Sequence, residues 1–278
     1  MTSAPPKIDK TLLASRFGSR VATYDEVTPV QAAMARYLVG EAQIHFMNQQ
    51  PKRILELGCG TGRMTQQLLA TFPEAEIIAV DISAAMIERA RTCNPDGCFL
   101  VADAEIFLQQ TVDYYDLIIS NAAIQWFEQI DVSLNRAYER LNEPGLLLVS
   151  TFGDQTFTEL NQAFRYAYAM TGQENGLHTV PMRNANEWRQ AFPQAAISQQ
   201  LQVRSFKDVR AFLRSVQQAG AVNSLTGPHF LSRRILREMM QFYAQQFADA
   251  LTGNVNATYH LVYLQMTKRN RAMHALKS

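Results

Sequence analysis

Short apolar runs alternate with helical stretches through the first half of the chain. Five of these runs predict strands, at residues 53–57, 75–81, 98–103, 115–121 and 145–151. The stretches 63–72 and 83–92 carry apolar residues at helical spacing, and Ser83 is placed to cap the second helix. Strands that are continuously apolar are buried on both faces. The pattern therefore predicts a mostly parallel sheet with helices outside it.

The two flanks of this core carry different patterns. The first 50 residues are predicted to be helical. Beyond residue 152 the alternation loosens into helices at 158–170, 185–192, 208–218 and 232–247, and strands at 197–206 and 258–266. We expect an α/β, Rossmann-like sheet of seven strands, the last antiparallel, with an N-terminal helical segment and helical lid insertions. The expected organisation is one domain, 1–278, built from helices in 1–50, a cofactor-binding core in 51–152, and lid insertions with closing strands in 153–278.

Composition narrows the class of protein. Of the 278 residues 47% are apolar and 18% are charged, and the net charge of +1 disfavours a protein that neutralises a nucleic-acid backbone. No apolar run approaches the roughly 20 residues that span a bilayer, and the N-terminus lacks the apolar core of a signal peptide. We therefore expect a cytoplasmic protein without membrane partners. Three cysteines fit no zinc spacing, so no metal is expected.

A glycine loop, GCGTG at 58–62, follows the first strand and opens a helix. Asp81 stands 19 residues beyond Gly62 at the end of the next strand, where a carboxylate can bind both hydroxyls of a ribose. The G-x-G-x-G spacing differs from the G-x-G-x-x-G of dinucleotide sites. Glu56 precedes the loop, and a carboxylate there would repel a pyrophosphate but suits a cationic ligand. S-adenosylmethionine is therefore favoured over NAD.

The motifs ELGCGTG, AVDIS and ADAE, followed by a strand ending in Ser-Asn, resemble those of class I S-adenosylmethionine-dependent methyltransferases over residues 50–152. The resemblance implies S-adenosylmethionine as cofactor and S-adenosylhomocysteine as product. It implies that the glycine loop wraps the methionine part, that Asp81 binds ribose and that Ile82 packs on adenine. It also implies that Asp103 and Ala104 meet the adenine edge and that Asn121 lies under the sulfonium. The implied cofactor site is Glu56, Gly58, Gly60, Gly62, Asp81, Ile82, Asp103, Ala104 and Asn121.

The segments SRFGSRVATYDEVTPVQ, SNAAIQWF and FLRSVQQAGA resemble the malonyl-acyl-carrier-protein O-methyltransferases of biotin synthesis. This family methylates the free carboxylate of a carrier-bound malonyl thioester. A carboxylate is already ionised at pH 7, so positioning without a general base is expected. Arg214 is the predicted carboxylate clamp, because a guanidinium fork matches a carboxylate, and Tyr24 is the candidate second donor. Gln125 and Trp126 are predicted to line the acceptor pocket.

The acceptor and the partner stay open at this stage. Residues 201–241 carry seven cations against two carboxylates, a local excess of five, which fits an acidic carrier protein docking near Arg233, Arg234 and Arg237 or a solvated helix face. One alternative is a methyltransferase for a free small acid such as trans-aconitate. Another is a cofactor-binding, catalytically silent partner protein. His178, His229 and His260 have no identifiable role.

Overall fold

A computed structural model describes residues 8–173, 181–219 and 232–269. The helices, in chain order, are α1 (Lys10–Gly18), α2 (Tyr24–Val27), α3 (Pro29–His45), α4 (Arg63–Thr71), α5 (Ala84–Cys93), α6 (Ala104–Gln110), α7 (Ile130–Glu139), α8 (Thr158–Thr171), α9 (Ala185–Ala191), α10 (Val209–Gln218) and α11 (Arg233–Phe247). The strands are β1 (Arg53–Leu57), β2 (Glu76–Asp81), β3 (Cys98–Val101), β4 (Tyr115–Asn121), β5 (Leu141–Phe152), β6 (Ala196–Phe206) and β7 (Val255–Lys268). A short 3₁₀ turn spans Ile124–Trp126.

The seven strands form one sheet in the order β3-β2-β1-β4-β5-β7-β6. Strands β1 to β5 pair in parallel, whereas β7 runs antiparallel to both β5 and β6. The strand order reverses between β1 and β4, because the chain builds outward from β1 in one direction and resumes beside it in the other. In open parallel sheets this switch point, at the carboxyl ends of the strands, is where ligands bind.

Two apolar layers cover the two faces of the sheet. One includes Leu55, Ile118, Leu147 and Trp188, and the other packs α3 and α4 over Ile54 and the strands beside it. A third cluster joins α8, α10 and α11 to one end of β7. The helices after β5 therefore have an apolar core of their own against the sheet margin, and this leaves room for a cavity between them and the parallel core.

The predicted fold class is confirmed, including the antiparallel last strand. Strand β4 has the predicted bounds, and Ser83 caps α5 by accepting a hydrogen bond from the amide of Met86. Strand β7 is longer than the predicted 258–266, because it pairs with a neighbour on each side over most of its length. Among the described residues, no helix combines the length and apolar character needed to cross a membrane.

Candidate functional site

Three adjoining cavities lie at the switch point of the sheet. A cavity of about 80 Å³ follows the ends of β1, β2 and β4, and one of about 50 Å³ continues from it past Glu56. A larger cavity of about 290 Å³ opens towards β6, β7 and α10. Tyr24 lines all three cavities, and Ala122 lines the first and the largest. We call these the ribose cavity, the Glu56 cavity and the acceptor cavity.

Asp81 ends β2 with its carboxylate held at the ribose cavity. One oxygen, Oδ2, accepts the amide of Gly60 at 2.9 Å, and Oδ1 accepts the amide of Ser83 at 2.9 Å. Burial raises the pKa of Asp81, and these two hydrogen bonds oppose that shift. A carboxylate has about four acceptor positions, so each oxygen keeps capacity for a hydroxyl donor from the cavity.

The three glycines of the loop all have positive φ, but a Cβ would meet different surroundings at each of them. A Cβ at Gly58 would lie 2.4 Å from the Cβ of Ala123, and one at Gly62 would lie 2.6 Å from Nδ2 of Asn94. A Cβ at Gly60 would meet no atom closer than 4.0 Å, and Gly60 lines both the ribose and the Glu56 cavities. Gly60 is therefore the position at which the missing side chain leaves space for a ligand.

Gly62, the third glycine predicted to contact the cofactor, has different surroundings. Gly58 lines the cavities with Gly60, but Gly62 is not among the lining residues. Its backbone is packed against Ala90 and Asn94 of the neighbouring helix end, and the side chain of Asn94 donates to its carbonyl at 3.1 Å. The missing side chain at Gly62 thus allows close packing of the start of α4 against α5.

Glu56 is almost completely buried on β1, with 1% of its surface exposed. Its Oε2 accepts the hydroxyl of Thr65 at 2.6 Å. Burial raises its pKa to about 8, although the hydrogen bond from Thr65 opposes the shift. The side chain is therefore mostly protonated at neutral pH while the cavity holds no cation. A cationic ligand beside it would favour the ionised form and lower this pKa.

This raised pKa predicts a pH-dependent stability of the ligand-free protein. The folded-state pKa of about 8 lies above the ordinary value of 4.5, so Glu56 stabilises the fold fully below pH 4.5 and loses that contribution as the pH rises towards 8. The free energy of unfolding should fall over this interval by up to about 5 kcal/mol from this group. Urea unfolding at several pH values measures this free energy. Glu56→Gln should flatten its dependence on pH, whereas Glu74→Gln, at an exposed position, should not. Equal slopes in wild type and Glu56→Gln would show that Glu56 does not cause the fall.

The far end of the ribose cavity is lined by Ile82, Asp103 and Ala104, as the motifs imply, and also by Lys10. The ammonium of Lys10 lies 3.1 Å from Oδ2 of Asp103 and 2.7 Å from Oε2 of Glu105. Oδ1 of Asp103 accepts the amide of Glu105 and caps α6. Lys10 could not be predicted from the motifs, because nothing in the sequence near the N-terminus indicates that α1 crosses this end of the sheet.

Tyr24 begins α2 at the junction of the cavities, and the neighbouring Asp25 holds this segment in place. Oδ1 of Asp25 accepts the hydroxyl of Thr61 at 2.7 Å and lies 3.1 Å from the guanidinium of Arg63. Burial, with the charges of Asp81 and Asp25, raises the pKa of Tyr24 far above its usual range. Tyr24 is therefore a neutral phenol that closes the Glu56 cavity beside the glycine loop.

Asn121 and Gln125 are fixed in orientation by hydrogen bonds. Asn121 ends β4, donates to the carbonyl of Gln31 at 3.1 Å and accepts the hydroxyl of Ser150 at 2.7 Å. It lines the ribose and Glu56 cavities. Gln125 donates to the carbonyl of Ala122 at 2.7 Å and accepts the hydroxyl of Thr151 at 3.1 Å.

The acceptor cavity is mostly apolar and has the predicted Gln125 and Trp126 in its wall. Trp126 also lines the ribose cavity, and it packs edge-on against Phe17 with ring centroids 5.9 Å apart. Trp126 thus lies where the ribose cavity and the acceptor cavity meet, and α1 covers its outer side.

The predicted carboxylate clamp lies apart from the described residues that line the acceptor cavity. Arg214 is exposed on α10 and is not among the residues that line the acceptor cavity, whereas Ser215, Val216 and Ala219 of that segment are. The apolar positions of α10 fall on one side of the helix, and Arg214 lies on the other. Among the described residues, the cation that lines the cavity is Arg204, on β6.

The histidines lie away from these cavities or outside the described residues. His178 and His229 belong to the latter group. His260 is buried on β7, with Nε2 2.9 Å from Oε1 of Gln199 and Nδ1 3.2 Å from Oδ1 of Asp154. Across the described ranges, no group of three or more His, Cys, Asp and Glu residues is arranged to hold a metal ion.

Comparison with known proteins places the chain in a family. The methyltransferase-domain model matches residues 30–223. A malonyl-[acyl-carrier protein] O-methyltransferase of Anoxybacillus flavithermus is 38% identical over 261 residues, covering 94% of this chain and 98% of that protein. The enzyme of the same name from Bacillus cytotoxicus is 34% identical, covering 95% and 94%.

Solved structures agree on the fold. The YcgJ protein of Bacillus subtilis superposes with a TM-score of 0.56 at 15% identity, covering 84% of this chain and 99% of that one. At this identity the likeness concerns the fold alone. The family model and the sequence relatives carry the assignment further: the chain is an S-adenosylmethionine-dependent methyltransferase and belongs to the family of malonyl-[acyl-carrier protein] O-methyltransferases.

Proposed function

We propose that this protein transfers a methyl group from S-adenosylmethionine to the free carboxylate of malonyl-acyl carrier protein, giving the methyl ester at an early step of biotin synthesis. The observation that carries the proposal is a mostly apolar acceptor cavity joined to the ribose cavity through Tyr24, Ala122 and Trp126. Relatives with this named activity cover nearly the whole chain.

The residues of the two smaller cavities fit S-adenosylmethionine. Asp81 keeps free acceptor positions for the ribose hydroxyls, and Ile82 and Ala104 give the ribose cavity an apolar wall for adenine. The space at Gly60 and the buried Glu56 suit the methionine part with its ammonium. When bound, the cofactor supplies an electrophilic methyl group on a cationic sulfur, which keeps the electron pair of the broken bond and leaves S-adenosylhomocysteine.

The chain's own residues position the acceptor and exclude water. A malonyl carboxylate is ionised near neutral pH, since its ordinary pKa is about 4, so no side chain has to remove a proton. Asn121 and Gln125 are held rigidly by their hydrogen bonds, and Trp126 lies where the ribose and acceptor cavities meet. Such fixed surroundings promote transfer by proximity and orientation.

Mass spectrometry of malonyl-loaded acyl carrier protein, incubated with the enzyme and S-adenosylmethionine, tests the function. A gain of one methyl group that an esterase removes is the expected result. Methylation of a free acid such as trans-aconitate, with the carrier unchanged, would mean that the substrate is a free small acid and not the carrier-bound malonyl group. Cofactor binding without methylation of either would favour a catalytically silent partner protein.

The carrier protein is proposed to dock on the basic face of α11, beside the acceptor cavity. Arg233, Arg234 and Arg237 are all exposed there, and the 3.5 Å contact of Arg237 with Glu238 neutralises little of this surface. Exposed Arg210 and Arg214 extend the positive charge along α10, which packs against α11. The family resemblance implies an acidic carrier protein as partner, and the charge of such a partner would be complementary to this surface.

Charge reversal at Arg233, Arg234 and Arg237 should lower kcat/KM for malonyl-acyl carrier protein by about tenfold at low salt, because steering by exposed charges is lost. The same variant should methylate a malonyl thioester of a small thiol at the wild-type rate. The matched control reverses three exposed cations on other elements, Arg36, Lys52 and Arg89. Equal losses in the two triple variants, or an unchanged rate on the carrier substrate, would refute this docking surface.

A further inference from the structure

A polar cluster interrupts the apolar wall of the acceptor cavity. It consists of Arg204 on β6, Tyr259 on β7 and Ser215 on α10. Gln202 pairs directly with Tyr259, and Arg204 follows Gln202 by two residues, so Arg204 and Tyr259 lie on the same face of the sheet as diagonal neighbours. Ser215 lines the same cavity, and its hydroxyl donates to the carbonyl of Phe212 at 2.7 Å. Three elements thus bring a guanidinium and two hydroxyl groups to one patch.

Within the described residues, Arg204 has no carboxylate oxygen within 4.0 Å. It is also the only lysine or arginine among the described residues that line the acceptor cavity. Glu26 is the one carboxylate among those same residues, and its side chain is exposed. A partly buried cation in a mostly apolar wall is poorly solvated, so it favours an anion that enters the cavity.

The chemistry of the proposed acceptor matches this patch. The group that receives the methyl is a carboxylate, and the rest of a malonyl thioester is small and nearly apolar. A guanidinium binds carboxylates through paired N–H donors, and hydroxyl groups can complete the shell of one oxygen. Tyr259 is suited to donate, because burial raises its pKa to about 12 despite the opposing effects of Arg204 and Ser215.

We propose that Arg204, assisted by the hydroxyl group of Tyr259, binds the acceptor carboxylate and thereby selects a charged acyl group. This rests on the proposed function, because it assumes that the acceptor is a carboxylate. The guanidinium engages one oxygen and leaves the other for methylation. Binding through this charge also accounts for release of the product, since the methyl ester has lost the negative charge that Arg204 binds.

The test measures binding and turnover separately, with malonyl N-acetylcysteamine as acceptor so that carrier docking plays no part. Arg204→Met should weaken binding of this acid to the enzyme saturated with S-adenosylhomocysteine by about ten- to thirtyfold, as expected for loss of a charge-assisted hydrogen bond. Binding of the corresponding methyl ester should change less than about twofold, because no ion pair is lost. Arg204→Lys should recover part of the affinity for the acid.

Arg36→Met is the matched control, since it removes an exposed arginine from α3 that lines none of the three cavities. It should bind acid and ester as the wild type does. Affinity for S-adenosylhomocysteine, measured by calorimetry, should be equal in all variants and reports intact folding. Loss of acid and ester binding together in Arg204→Met, or loss of neither, would overturn the assignment of Arg204.

The outcomes separate this inference from the proposed function. If the wild type methylates the thioester and Arg204→Met binds the acid as tightly, the function stands and the role of Arg204 is wrong. If the wild type methylates no malonyl thioester yet binds the acid through Arg204, the function is wrong and the carboxylate site remains.

Discussion

Replacing Asp81 with alanine should weaken the binding of S-adenosylmethionine and S-adenosylhomocysteine by at least about a hundredfold. The carboxylate is held by the amides of Gly60 and Ser83 at 2.9 Å each, so it is oriented before the ligand arrives. Each hydrogen bond from a ribose hydroxyl to an ionised group contributes about 1.5–3 kcal/mol, and two would be lost together. Isothermal calorimetry with S-adenosylhomocysteine gives the affinity directly.

Asp116→Ala is the control for this variant. Asp116 lies at the opposite end of the sheet, where its carboxylate also accepts two backbone amides, those of Lys52 at 2.7 Å and Arg53 at 2.9 Å. Its removal should cost stability for the same reason that removal of Asp81 does, but it should leave cofactor affinity unchanged. Similar affinities in Asp81→Ala and wild type would show that the ribose is bound elsewhere.

The cofactor half of the site was predictable because its residues are fixed by local geometry. Each follows a strand that the apolar runs identify, and parallel strands bring their carboxyl ends to one edge. Glu56, Asp81 and Asn121 are therefore brought together by fold class alone, and the structure places all three beside the adjoining ribose and Glu56 cavities. Gly62 differs because its place is decided by contact with α5, which a sequence motif does not describe.

The acceptor half depends on packing between segments far apart in sequence. Which arginine enters the cavity is decided by the pairing of β6 with β7 and by the side of α10 that faces the sheet. The sequence holds a partial signal: Arg204 shares the strand face of Phe206, and Arg214 lies opposite the apolar stripe of its helix. That signal shows that Arg214 points outward, but it does not show what Arg204 faces.

The N-terminal helices could be predicted as helices but not located. Lys10, Phe17 and Tyr24 reach the ribose cavity because α1 and α2 cross the carboxyl edge of the sheet. The two helices are held there by ion pairs between residues far apart in the sequence, such as Lys10 with Asp103 and Asp25 with Arg63. These contacts connect cofactor recognition to closure of the cavity, since the same segment covers the cofactor site and lines the acceptor cavity.

Gly60→Ala should fold and yet lose cofactor binding by about a hundredfold or more, because a methyl group would occupy the space meant for the ligand. The new Cβ would meet no protein atom closer than 4.0 Å, so the cost to the fold is that of the positive φ of 55° alone, about 1–2 kcal/mol. Gly253 has a φ of 70° and open space around its Cβ position, at a turn remote from the cavities, and Gly253→Ala therefore carries the same strain without touching the ligand. Thermal unfolding should show similar losses of stability for the two variants, and calorimetry with S-adenosylhomocysteine should separate them.

Gly58→Ala would differ from both, since its Cβ would lie 2.4 Å from that of Ala123 and the loop itself would have to move. If Gly60→Ala binds the cofactor as well as Gly253→Ala does, the space at Gly60 is not where the methionine part lies, and the Glu56 cavity loses its proposed ligand.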